Sequence, residues 1–243
     1  MSFPDFSASD AQTQWQRFCD LLWFHDDLGM WLDVSRMHLN SADLDALAPQ
    51  FDQAFQAMQA LEGGAIANAD EERQVGHYWL RQPQLAPSPE VADHITAEID
   101  RIEEFGRAVI AGEIKAPNGS AFTDVLWIGI GGSGLGPLLM IRALQNQGEG
   151  LPFHFFDNVD PNGMSRVLAG LGDALQTTLV ITVSKSGGTP EPHLGMEQAR
   201  HRLEASGGDW PRQAVAITMK NSHLDQQAQQ EGWLQRFDMF DWV

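Results

Sequence analysis

From Thr123 onward the sequence alternates short apolar runs with longer stretches of helical spacing, and this alternation constrains the fold more than any other feature. Apolar runs too short for helices, each followed by a helix-length segment, form the pattern of strand-helix units whose strands lie parallel and are covered on both faces. Strands are expected over residues 125–130, 153–157, 179–183, 215–218 and 237–240, with helices starting near Gly134, Pro161, Thr189 and Ser222. The expected fold class is α/β: a doubly wound, five-stranded parallel sheet in the flavodoxin-like order 2-1-3-4-5, spanning residues 121–243.

Residues 1–120 read instead as a mainly helical region. Trp15, Phe18, Cys19 and Leu22 share one helical face, as do Leu44, Leu47, Phe51, Phe55 and Met58, with Ser41 placed as an N-cap. A third helix has Ser88 as cap and Pro89 at its first position, followed by Val91, Ile95, Ile99, Ile102, Phe105 and Val109 at three- and four-residue steps. These stripes, and the Trp15, Trp23 and Trp31 series, are expected to be core, because aromatics dominate burial. Residues 63–87, with Gly63-Gly64, Pro83 and Pro87, read as a connector.

Two strand-to-helix joints carry chemistry. The first, Gly129-Ile130-Gly131-Gly132-Ser133-Gly134-Leu135-Gly136-Pro137, lets the backbone turn and bring free amides, at the positive end of a helix, up to an anion. Five glycines and a serine exceed what a tight turn requires. The second, Ser184-Lys185-Ser186-Gly187-Gly188-Thr189-Pro190-Glu191, places three hydroxyls, one ammonium and two glycines within six residues, with Thr189 as cap and Pro190 as first helical residue. Hydroxyls and amides can donate to several phosphate oxygens while a lysine supplies the point charge. The sequence has only three lysines, Lys115, Lys185 and Lys220, so one in this loop is chemically informative. In the expected strand order both joints flank the switch point of the sheet, the crevice where open parallel sheets bind ligands. They are therefore expected to form one anion site.

The composition excludes several partners. A net charge of -18 opposes nucleic acid and anionic membranes, which require clustered Lys and Arg. Salt screens distant charge beyond about 8 Å, so a small phosphate ester held by local donors remains compatible with the acidic total. Cys19 is single, no Cys/His spacing resembles a zinc site, and no basic-then-apolar leader is present, so a cytoplasmic protein without metal is expected. The longest uncharged segment, residues 125–141, is interrupted by glycines and is shorter than a bilayer span. His25, His38, His77, His94, His154, His193, His201 and His223 show no metal-binding helical pair, and only His193 lies close after the second loop. Glu191, in the first turn of a helix, is favoured there by the dipole and is assigned a supporting position rather than a catalytic one.

A rival reading uses the same residues. Gly129-x-Gly131-x-x-Gly134 follows a strand, and Asp157 ends the next one, as in a nicotinamide-binding oxidoreductase. That reading leaves Ser184 to Thr189 without a task. A P-loop is excluded by the absence of Gly-Lys-Ser/Thr, and a nucleophile elbow by the spacing around Ser133.

The first joint with its strand, Phe122 to Pro137, together with Ser184 to Glu191 and Gly76-His77-Tyr78-Trp79-Leu80-Arg81 upstream, resembles the glucose-6-phosphate isomerase family of the bacterial, cyanobacterial type. The resemblance implies a sugar-isomerase (SIS) domain in which Gly132, Ser133, Ser184, Lys185, Ser186 and Thr189 hold the 6-phosphate of a hexose. It also implies interconversion of glucose 6-phosphate and fructose 6-phosphate in glycolysis and gluconeogenesis, without metal or organic cofactor, in a homodimer. Family members are about twice as long, and their second domain supplies the glutamate, arginine, histidine and lysine of catalysis. The expectation is therefore a phosphate-binding half with no catalytic residue of its own, inactive alone. The alternative from another class is a non-enzymatic sugar-phosphate sensor.

Overall fold

The computed structural model describes residues 3, 4, 6, 7, 10–145 and 150–243. The chain divides into two compact units, Met1–Leu61 and Glu62–Val243.

In the first unit, helix α1 (Ala11–Leu21) is capped by Asp10, whose carboxylate accepts from the Thr13 amide at 2.8 Å. An antiparallel hairpin follows, β1 (Leu22–His25) and β2 (Met30–Asp33), pairing Trp23 with Leu32 and Phe24 with Trp31. Helix α2 (Ser41–Glu62) closes the unit. Its cap is Asn40 rather than Ser41: the Asn40 side chain accepts from the Asp43 amide at 3.0 Å and the Asp43 carboxylate accepts from the Asn40 amide at 2.8 Å. Arg17 organises the middle of the unit. Its buried guanidinium donates to the carbonyls of Pro4, Ser35, Met37 and Leu39 at 2.6–2.8 Å, beneath the rings of Phe3 and Phe6. The apolar stripes expected as core are not core here. Trp15 and Trp31 are each 64% exposed and Phe55 is 66% exposed, Trp23, Phe51 and Met58 are exposed too, and α2 buries no residue. Periodicity identified faces that are apolar, but no described residue of this unit covers them.

The second unit begins with a small hairpin, β3 (Ile66–Asn68) and β4 (Arg73–Gln74), within the segment expected as a connector. Single 3-10 turns at His77–Leu80 and Pro83–Leu85 follow. Helix α3 (Pro89–Ile110) has the expected cap, Ser88 accepting from the Val91 amide at 3.4 Å. Its stripe buries Ile95 and Val109 and half-buries Val91, Ile99 and Phe105, while Ile102 stays exposed.

The α/β domain then runs β5 (Asp124–Ile128), α4 (Gly132–Leu144), β6 (Phe153–Phe156), α5 (Pro161–Leu171), β7 (Thr178–Val183), α6 (Pro190–Ala205), α7 (Trp210–Gln213), β8 (Ala214–Thr218), α8 (His223–Glu231) and β9 (Gln235–Asp238). The sheet order is β6-β5-β7-β8-β9, parallel throughout, which is the expected doubly wound 2-1-3-4-5 arrangement. Boundaries moved where loops claimed residues. Ile130 and Asp157 lie beyond their strands, and α4 starts at Gly132 rather than near Gly134. The last strand sits two residues earlier than expected, because Phe240 leaves the sheet to stack on Trp242 at 4.7 Å between ring centroids.

One sheet face, with Leu126, Ile128, Val180, Ala214 and Ala216, packs against Met164 and Leu168 of α5, Met196 and Leu203 of α6 and Leu224 of α8. The other face, through Leu179, Val215 and Phe237, packs against Phe105 and Val109 of α3. On that face an apolar groove of about 640 Å³ runs between α3 and α4. A third cluster joins the start of the unit to its last residues. Trp79 and Ile95 are fully buried with Trp242, Trp79 donates through its indole to the Glu62 carbonyl at 3.0 Å, and the Gly76 amide donates to the Trp242 carbonyl at 2.9 Å.

Candidate functional site

The first joint is shaped by sterics as well as by ligand chemistry. Gly131 sits at φ 56, and a side chain at Gly129 or Gly134 would strike the Ser133 or Gly129 carbonyl oxygen at 2.6 and 2.4 Å. That close approach folds α4 back onto the end of β5, where the Trp127 indole donates to the Ser133 carbonyl at 2.7 Å. Ser133 faces the cavity between the joints; Gly132, the first residue of α4, is exposed and outside the cavity lining.

The second joint is held from behind by the end of β8. Thr218 donates its hydroxyl to the Ser184 carbonyl at 2.6 Å and pairs with the Ser222 hydroxyl at 2.7 Å, while the Met219 amide donates to the Lys185 carbonyl at 3.1 Å. Gly187, at φ 68, passes so close to α8 that a side chain there would meet the Leu224 amide and the Ser222 hydroxyl at 2.7 Å. The hydroxyls of Ser184 and Ser186 lie 3.5 and 3.4 Å from that of Thr189. Thr189 is the N-cap residue of α6 by position, but its side chain caps no amide, so it remains with the hydroxyl cluster.

Ser133, Ser184, Lys185, Ser186 and Thr189 line one cavity of about 340 Å³, together with Ile130, Val183, Pro192 and Met219. Of the six residues expected to hold phosphate, five are therefore brought together. Glu191 is half-buried in the first turn of α6 and His193 is exposed, both outside the lining. Lys185 donates to the Val243 carbonyl. Burial pushes its ammonium below the usual lysine range, the neighbouring Arg73 guanidinium pushes it further, and Glu71 and Asp241 oppose the shift.

Arg73 and Glu71 also line the cavity, and sequence reasoning missed them. They arrive on the β3–β4 hairpin, whose segment has no periodicity to mark it. The only available signal was an arginine in a chain with 15 basic residues against 33 acidic ones.

Among the described residues no group of three or more His, Cys, Asp or Glu side chains is placed to hold a metal, and no helix is long and apolar enough to cross a membrane. Asp157, the candidate ribose ligand of the rival reading, accepts from the neighbouring Asn158 side chain at 2.7 Å.

Residues 33–243 match the profile of the phosphoglucose isomerase family. The chain belongs to that family. It is 77% identical over all 243 residues to a glucose-6-phosphate isomerase of Synechococcus sp. (strain CC9605), covering 46% of that protein, and 77% identical to one of Prochlorococcus marinus (strain MIT 9313), covering 44%. It also superposes on the crystal structure of a glucose-6-phosphate isomerase from Chlamydia trachomatis with a TM-score of 0.79 at 26% identity, over 98% of this chain and 46% of the other. The chain thus spans about half the length of the relatives it matches.

Proposed function

We propose that the cavity holds the phosphate of a hexose 6-phosphate, and that this chain supplies the phosphate-binding half of a glucose-6-phosphate isomerase. The observation that supports this most strongly is the convergence of Ser133 from one joint with Ser184, Lys185, Ser186 and Thr189 from the other on a single cavity. Four hydroxyls around a small volume suit a tetrahedral oxyanion, and Lys185 supplies the charge. Ser133, in the first turn of α4, brings the cavity up to the positive end of that helix. In this reading residues 121–243 are the first sugar-isomerase domain, and the intact enzyme interconverts glucose 6-phosphate and fructose 6-phosphate in the cytoplasm as a homodimer, without a cofactor.

Aldose-ketose isomerisation moves a proton between neighbouring carbons and needs a base with a donor or cation at the developing oxyanion. The lining offers anchoring but not that pair. Glu71 is its one carboxylate among the described residues, and it is ion-paired to Arg73 at 3.4 Å. We therefore assign proton transfer to the part of the relatives' length that this chain does not cover, and expect this chain to bind without turning over.

Calorimetric titration with fructose 6-phosphate, and separately with NADH, tests the proposal. Saturable binding of fructose 6-phosphate is expected, with Lys185→Ala weakening it by about 1 to 3 kcal/mol, the range for a lost hydrogen bond to a charged group. Binding of NADH alone would overturn it.

A further inference from the structure

The charge in the cavity does not balance a sugar phosphate if Lys185 acts by itself. A phosphate monoester carries about -1.5 to -2 near neutral pH, and the hydroxyls of the second joint are neutral donors. The structure brings a second cation to the same cavity together with the Glu71 carboxylate that faces it, so what Arg73 adds is a set of directed donors more than net charge. Arg73 lies on β4, remote in sequence from both joints, and is half-buried in the lining.

Its guanidinium is held but not used up. Asn68 donates its side-chain amide to the Glu71 carboxylate at 3.0 Å, and its carbonyl oxygen accepts from the Glu71 backbone at 3.2 Å. Glu71 faces Arg73 at 3.4 Å, an ion pair too long for a good hydrogen bond. Among the described residues the Arg73 side chain makes no hydrogen bond, so its planar fork of donors is available to a ligand. The backbone is set to present it. Glu72, immediately before, has a φ of 53, a left-handed conformation rare for a residue with a side chain, and the hairpin register shifts between Ile66 and Asn68. The hairpin is tied down beyond Arg73 by Gln74, which donates to the Gly64 carbonyl at 2.8 Å, and by the Gly76 amide on Trp242.

We infer that Arg73 is a second phosphate-binding cation of this cavity, its guanidinium taking two oxygens of the phosphate opposite Lys185. The inference rests on the phosphate-site reading above and adds a residue from outside both joints. A bidentate guanidinium contact fixes the orientation of a phosphate as a point charge cannot. Burial first, and the Arg73 guanidinium second, lower the proton affinity of Lys185, which places the two cations near enough to act on one anion.

Titration of the chain with fructose 6-phosphate, with a melting curve for each variant, tests it. Arg73→Ala is expected to raise Kd about 10- to 100-fold, the scale of one lost charge-assisted contact. Arg73→Lys should recover part of that loss, because the charge returns without the fork. Unchanged affinity in Arg73→Ala, with Lys185→Ala weakened, overturns the role of Arg73 and leaves the phosphate site standing. No binding by the unsubstituted chain overturns the site itself. Should Arg73→Ala fail to fold, the Arg73 Nε–H resonance of the unsubstituted protein decides: a shift on adding inorganic phosphate supports the inference, and no shift overturns it.

Discussion

Gly187 and Thr218 show how single residues set the shape of the second joint. At Gly187 a side chain would be strained by its φ of 68 and would collide with the backbone of α8. Gly187→Ala is expected to cost about 1 to 2 kcal/mol from the left-handed backbone alone, read as a lower thermal midpoint. Thr218→Val keeps the shape but removes a buried donor from the Ser184 carbonyl, at an expected cost of about 1 to 3 kcal/mol by chemical denaturation, with weaker sugar-phosphate binding as the joint relaxes. The residues of both joints were legible in the sequence because glycine, serine and lysine report local needs: a turn, a donor, a charge. Arg73 was not, because its place depends on a hairpin anchored through Gln74 and Trp242, contacts that sequence spacing does not reveal.

Among the elements, the α3 cap and the strand centres were readable, while ends and partners were not. Ser88 caps α3 as its sequence indicates, and Ser88→Ala should lower stability by about 1 kcal/mol in a denaturant titration. By contrast Asn40, not Ser41, caps α2, since two adjacent polar residues compete for one geometry and only the Asn40–Asp43 exchange closes. The stripes on α1 and α2 were read correctly as apolar and wrongly as buried; periodicity gives a face, and the covering partner is a separate fact. Between α6 and α8 the tie is electrostatic. Arg200 donates to Glu231 at 3.1 Å and the Trp233 indole donates to the same carboxylate at 2.9 Å. Burial of Glu231 favours its neutral form, but the bonds from Trp233, Gln227 and Arg200 outweigh it and hold the carboxyl below the usual range. A depressed carboxylate stabilises the fold above its unfolded pKa and loses that contribution as pH falls through its folded pKa. Glu231→Gln is therefore expected to lower the thermal midpoint at neutral pH, and the gap should close on acidification below about pH 4.

For the whole molecule, the sheet has one face fully covered and one with a groove between α3 and α4. Parallel sheets bury both faces, and α4 is apolar on nearly every side, with Leu135, Leu139, Met140 and Leu144 exposed. The chain is expected to enhance the fluorescence of an apolar-surface dye, with Leu139→Lys and Leu144→Lys together reducing the signal; no enhancement would contradict the open groove. The net charge of -18 acts at longer range than the cavity donors and should slow encounter with anions rather than forbid binding. The phosphate-site reading depends on the two joints and the loop hydroxyls acting on one anion. The direct measurement is a backbone amide NMR titration with fructose 6-phosphate. Gly132, Ser133 and the amides from Lys185 to Thr189 are expected to shift together along one saturation curve; shifts confined to one joint, or centred elsewhere in the chain, would contradict a shared anion site.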